Sequence, residues 1–121
     1  MVKRNSCVFI SGAGTNLKAL IKSSREYNFP INIKLIVSNK KNAMGIVLAK
    51  KYSIPFKIIK TKNSLFEKDL INEINRKKIS LICLAGYMKI LSKNFINSYK
   101  GKIINIHPSL LPNYKGVNTF S

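Results

Sequence analysis

The stretch 79–85, ISLICLA, is the most apolar run in the chain. A strand wet on one face alternates apolar and polar residues, whereas a strand covered on both faces reads as a near-continuous apolar run. This run therefore predicts a central strand, and a central strand needs a sheet with helices packed above and below it.

Its neighbours fit that frame. SCVFIS (6–11), INIKLIVS (31–38), FKIIK (56–60) and KIINI (102–106) are further short runs rich in β-branched residues. Helical spacing separates them. NLKALIKSSREY follows the turn GAGTN (12–16), and AMGIVLAKKYS (43–53) stops before Pro55. In SLFEKDLINEINRKK (64–78), Leu65, Phe66, Leu70, Ile71 and Ile74 fall on one helical face. Ser64 reads there as the N-cap, with Glu67 three residues on completing a capping box. SKNFINSY (92–99) is a short fourth helix. Strands alternating with helices predict the α/β class: a Rossmann-like, mainly parallel twisted sheet with helices on both faces, in a single domain over 1–121.

Composition sets further bounds. With 121 residues, 45% of them hydrophobic, the chain is one domain with enough apolar mass for a core. No apolar run approaches the length of a membrane span, and the opening MVKRNSCVFISGAG does not read as a secretory signal. Cys7 and Cys83 each sit inside a strand-like run and read as reduced, buried thiols of a cytoplasmic protein. No CxxC or His/Cys cluster suggests a metal. The net charge of +18 resembles a nucleic-acid signal. However, the excess is mostly lysine spread along the chain, beside equally abundant Asn and Ile, as A+T-rich coding would supply. No charge block or interleaved aromatic row accompanies it, so no specific nucleic-acid partner and no membrane partner is expected. A basic binding module stands as the distant alternative.

In open α/β sheets, ligands bind beyond the carboxyl ends of the strands. Three segments lie at such ends: SGAGTN, GYMKIL (86–91) and NIHPSLLP (105–112). In the first, Gly12 and Gly14 form a tight turn into a helix N-terminus, whose free amides and dipole suit an anion. The third glycine of a dinucleotide fingerprint would fall on Leu17, and no Gly-Lys-Ser/Thr of a P-loop follows, so a phosphate monoester fits better. The alternative is a pair of glycines that merely permits the turn. In the third segment lies the only histidine, His107. Alternation puts Asn105 and His107 on one face before Pro108 ends regular pairing. A carboxamide donating to a developing oxyanion beside an imidazole that moves protons suits addition to a carbonyl. No Gly-x-Ser-x-Gly elbow competes, and the four acids all read as helical. A hydrogen-bonded structural histidine is the competing account. GYMKIL is less specific: Met88, Ile90 and Leu91 either line an apolar slot for a flat ring or form ordinary core.

Taken in order, ISGAGTNLKALI, IVSNKKNAMGIVLAKKYSIP, LAGYMKILSKNFI and INIHPSLLPNYKGVNTF resemble the folate-dependent glycinamide ribonucleotide formyltransferases of purine biosynthesis. The resemblance implies transfer of a formyl group from 10-formyltetrahydrofolate to the amine of 5′-phosphoribosylglycinamide, with no metal. It implies that Gly14, Thr15 and Asn16 hold the substrate phosphate and that Met88, Lys89, Ile90 and Leu91 wall the folate pocket. Asn105 would face the oxyanion and the folate, and His107 would be the general acid/base. A basic residue near the folate falls on Lys60 or Lys62. Methionyl-tRNA formyltransferase and formyltetrahydrofolate deformylase resemble the chain less well: one lacks the phosphate loop, and the other typically has a second histidine where Pro108 stands. The family continues past GVNTF to an aspartate that pairs with the histidine. The expectation is thus a domain incomplete at its C-terminus, with an inactive fragment as the alternative.

Overall fold

The computed structural model describes residues 2–10, 17–39, 41, 43–59, 64–85 and 92–106. Its strands are β1 (Arg4–Ile10), β2 (Ile31–Ser38), β3 (Phe56–Ile58), β4 (Leu81–Ala85) and β5 (Lys102–Ile106). The helices are α1 (Leu17–Ser24), α2 (Ala43–Lys51), α3 (Ser64–Arg76) and α4 (Lys93–Ser98). The strands form one sheet in the order β3-β2-β1-β4-β5, and every pair is parallel.

Parallel strands need crossovers, and these put helices on the two faces. Leu17, Leu20 and Ile21 of α1, with Leu48 and Ala49 of α2, pack on Val8, Ile10, Ile36, Leu81 and Cys83. Leu70 and Ile74 of α3, with Phe95 of α4, cover Cys7, Phe9, Leu35, Val37 and Ile82 on the other side. The run 79–85 thus supplies a strand covered on both faces, as its composition predicts.

Alternation breaks once. Ile31, Ile33 and Ile36 belong to the α1/α2 side, but Leu35 and Val37 belong to the α3/α4 side. Ser6 pairs with Ile33 and Cys7 with Leu35, so Lys34 is an extra residue, a bulge in β2. A one-residue insertion reverses every later side chain. In a regular strand Leu35, two residues on, would share a face with Ile33.

Helix ends explain most boundary differences. α1 stops at Ser24, short of Tyr27, where the Ser24 hydroxyl donates to the Ile21 carbonyl over 2.6 Å in place of a continued turn. α3 stops at Arg76. The Lys78 and Ile79 amides donate to Asn75 and Ile74, and Lys78 takes φ 55°, so Ile79 and Ser80 close a helix instead of opening β4. Ser53, φ 57°, closes α2 in the same way, with the Ile54 amide on the Ala49 carbonyl. Glu26 lies in the turn beyond α1, so not every acid is helical.

Both cysteines are free and buried. Their strands are neighbours, but Cys7 faces α3/α4 and Cys83 faces α1/α2. Burial pushes the Cys7 thiol well above its ordinary value, and Cys83 and Glu73 add in the same direction. Burial also pushes Cys83 up to about 12, against the opposing pull of Arg4. Among the described residues, no helix is long and apolar enough to cross a membrane.

Candidate functional site

Register decides where the three sequence segments start. Ile10 pairs with Ala85, and Ala85 pairs with Ile106. β1, β4 and β5 are consecutive in the sheet, so their last residues form one line. At about 4.8 Å per strand spacing, the line from Ile10 to Ile106 is roughly 10 Å long. Ser38 pairs with Ile10 and with Ile58, extending the same rim across β2 and β3. The segments 11–16, 86–91 and 107 onward each leave from this line.

Asn105 is the predicted site residue within the described set. It lies in β5, in register with Leu84, and its side chain is exposed. Ile104 and Ile106 pack toward α1/α2 and Ile103 toward α3/α4, so alternation gives Asn105 the α3/α4 face. An exposed carboxamide one residue from the strand end can donate to a ligand above the rim. Gly14, Thr15 and Asn16, Met88 to Leu91, and His107 lie outside the described residues, as do Lys60 and Lys62.

Residues 11–16 join the end of β1 to Leu17, the first residue of α1. No acid occupies the first turn of α1, so nothing there offsets the positive end of the helix dipole. Asn39 follows β2 at the same rim, and its Oδ1 is buried without a hydrogen-bond partner among the described residues. A buried acceptor of that kind is rare, and a donor group of a ligand would satisfy it.

The acids of α3 are elsewhere engaged or exposed. Glu73 pairs with Lys57 at 3.1 Å and with Lys77 at 3.7 Å. Glu67 accepts a hydrogen bond from the Ser92 hydroxyl at 2.8 Å. Sequence reasoning assigned Glu67 to its own helix start. Its partner stands at the head of α4, and no local spacing signals that pairing. Asp69 is exposed. Among the described residues, no group of three or more His, Cys, Asp or Glu side chains could hold a metal. Among the described residues, the perturbed groups are not at the rim: Cys7 and Cys83 lie within their strands. Tyr99, pushed up to about 12 chiefly by burial, donates to the Lys102 carbonyl at the opposite end of β5.

The chain is 44% identical to the phosphoribosylglycinamide formyltransferase of Haemophilus influenzae over 117 residues, covering 93% of this chain and 55% of that one. It is 42% identical to the human trifunctional purine biosynthetic protein adenosine-3 over 120 residues, covering 96% of this chain and 12% of that protein. The crystal structure of phosphoribosylglycinamide formyltransferase from Brucella melitensis superposes with TM-score 0.73 at 37% identity, over 97% of this chain and 63% of that one. The chain thus spans about half the length of the bacterial relative and a small part of the trifunctional protein. Residues 4–121 match the formyl transferase family model, and the chain belongs to that family.

Proposed function

We propose that the chain contributes to formyl transfer from 10-formyltetrahydrofolate to the amine of 5′-phosphoribosylglycinamide, in purine biosynthesis in the cytoplasm. The observation that carries this reading is the alignment of Ile10, Ala85 and Ile106 on one rim, from which all three motif segments depart. In this reading Gly14, Thr15 and Asn16 hold the phosphate at the start of α1, and Met88 to Leu91 wall the folate. The substrate amine attacks the formyl carbon, the Asn105 amide donates to the oxygen that gains charge, and His107 takes the amine proton and returns one to the leaving nitrogen.

The resemblance pairs the histidine with an aspartate that corresponds to none of the four acids in residues 1–121. A carboxylate in that position fixes the ring and stabilises its charged form. In the Ser-His-Asp triad, replacing the aspartate by its amide lowers turnover about 10⁴-fold. The coverage of 55% of the bacterial relative favours a second reading, in which residues 1–121 are inactive alone.

One assay separates these readings. Purified chain is supplied with both substrates and formyl loss from the folate is followed. Slow turnover that vanishes in His107→Ala supports the transferase. Absence of turnover supports the inactive fragment. Release of formate without phosphoribosylglycinamide, or formylation of methionyl-tRNA, would replace the proposed acceptor with water or with tRNA.

A further inference from the structure

The amino ends of β1, β4 and β5 converge on Ser80. Its amide donates to the Asn5 carbonyl, and its carbonyl accepts from the Lys102 amide at 3.0 Å and from Arg4 Nη2 at 3.0 Å. Arg4 Nε also meets the Ser80 hydroxyl at 3.2 Å, and the Lys77 carbonyl accepts from Asn5. Gly101 lies so close that a Cβ there would stand 2.5 Å from the Ser80 carbonyl oxygen. Arg4, Arg76, Lys77, Lys78, Lys100 and Lys102 are thereby gathered about one backbone group.

Glu73 offsets Lys77 at 3.7 Å and is shared with Lys57. Arg4, Arg76, Lys78, Lys100 and Lys102 are exposed, and among the described residues none of them is ion-paired. Cations at a helix C-terminus offset its macrodipole, which amounts to about half a negative charge. α3 and α4 both end here, so together they balance about one of these charges. Roughly four remain unbalanced within the width of three strands, about 10 Å. Coding bias explains how many lysines the chain has; their collection at one end of the sheet is made by the fold. Like charges so placed repel one another, and a bound polyanion relieves that repulsion.

Tyr99, the ring nearest to this cluster in sequence, is buried and stacks near Phe95 at 6.4 Å. It offers bases nothing to stack on, which leaves contacts to a backbone. The Arg4 guanidinium is taken up by Ser80, so the free groups are mainly lysine ammoniums, point charges that suit phosphate oxygens. We propose that this surface binds the phosphate backbone of nucleic acid without regard to base sequence. It lies at the opposite end of the strands from the rim of Ile10, Ala85 and Ile106, so the inference stands independently of formyl transfer.

The test follows binding of labelled poly(U) and poly(A) oligonucleotides to the full chain by fluorescence anisotropy, from about 50 to 200 mM salt. Both bind alike, and log K falls with log salt at a slope of about −2 to −3, as for about three or four phosphate contacts on a single strand. Lys78→Gln, Lys100→Gln and Lys102→Gln together bring the slope to within about 1 of zero, each alone shallows it by about 0.7, and the matching arginine triple keeps it. Lys41→Gln, Lys68→Gln and Lys93→Gln, exposed lysines toward the starts of α2, α3 and α4, change the net charge equally and leave the slope as in the parent. Circular dichroism establishes that each variant is folded. Equal loss in the two glutamine triples, or a slope unchanged in the first, overturns the inference: the protein then adsorbs polyanions through its net charge alone. Strong preference for one base overturns backbone binding. Displacement by polyglutamate at matched charge as readily as by unlabelled RNA overturns the choice of phosphate.

Discussion

Ile10 and Ala85 stand opposite each other as the last residues of two neighbouring parallel strands, and Ala85 pairs on its other side with Ile106. Far apart in sequence, the three residues end at one level of the sheet. A ligand above that edge would lie beyond the ends of three strands at once, and open sheets of this kind bind ligands at their carboxyl rim.

Asn105 is the proposed site residue whose exposure separates chemistry from stability. If its amide stabilises the oxyanion, Asn105→Ala lowers kcat by about 10²–10³ with little change in KM. As an exposed strand residue, it should alter unfolding free energy by no more than about 0.5 kcal/mol. Steady-state formyl transfer and a urea melt, run in parallel, check both halves.

Gly101 precedes β5 where the Lys102 amide donates to the Ser80 carbonyl at 3.0 Å. A Cβ at this position would lie 2.5 Å from that same carbonyl oxygen and would also run into the Tyr99 ring. Gly101→Ala must move backbone, and a cost of about 1–3 kcal/mol is expected from overpacking of this kind. Chemical denaturation measures it.

Lys78 closes α3 with φ 55°, a conformation that costs a side-chain-bearing residue about 1–2 kcal/mol and glycine little. Lys78→Gly should therefore raise stability by about 1 kcal/mol, and Ser53→Gly at the end of α2 should do likewise. A lower denaturation midpoint in both variants would contradict this account of the helix ends.

Burial holds the Cys83 thiol up at about 12, above its ordinary value of 9.0. The unfolded chain releases that proton first. Stability from the buried neutral thiol is therefore complete below about pH 9 and is lost as pH rises toward 12. Cys83→Ala should be less stable than the parent at pH 7 but lose less stability between pH 9 and 12. In the native protein both cysteines should resist thiol reagents at pH 8 and react once denatured.

Lys34 is unpaired between Ile33 and Leu35. Deleting it leaves Ile33 and Leu35 as consecutive residues on opposite faces, in register with Ser6 and Cys7. The ladder becomes regular and the core assignments are unchanged, so the deletion should be tolerated. Deleting Ile36 instead removes a fully buried core residue and reverses the face of Leu35 or Val37, which should unfold the chain. Circular dichroism of the two variants distinguishes them.

Much of the fold was readable from local pattern. The bounds of β2 and β5 coincide with their apolar runs, and the double coverage of β4 follows from its lack of alternation. Local hydrogen bonds moved the ends of α1 and α3, but at the start of β1 a contact distant in sequence decided. β1 begins at Arg4 because its amide meets the Pro30 carbonyl and its guanidinium meets Ser80. The candidate site was legible as residue types at strand ends. Asn105 could be picked out because alternation gives it a face, whereas Glu67 could not, because its partner lies 25 residues away in another helix.

The sequence alone determined the alternation of strand and helix, and with it the chemistry available at each strand end. Both are encoded by spacing within a few residues, where backbone period and side-chain polarity act directly. Tertiary structure decided the strand order, the level at which Ile10, Ala85 and Ile106 stop, the reversal at Lys34 and the bond from Ser92 to Glu67. Each depends on which distant segments pair once the core closes, and that choice is made by packing and hydrogen-bond satisfaction across the whole sheet.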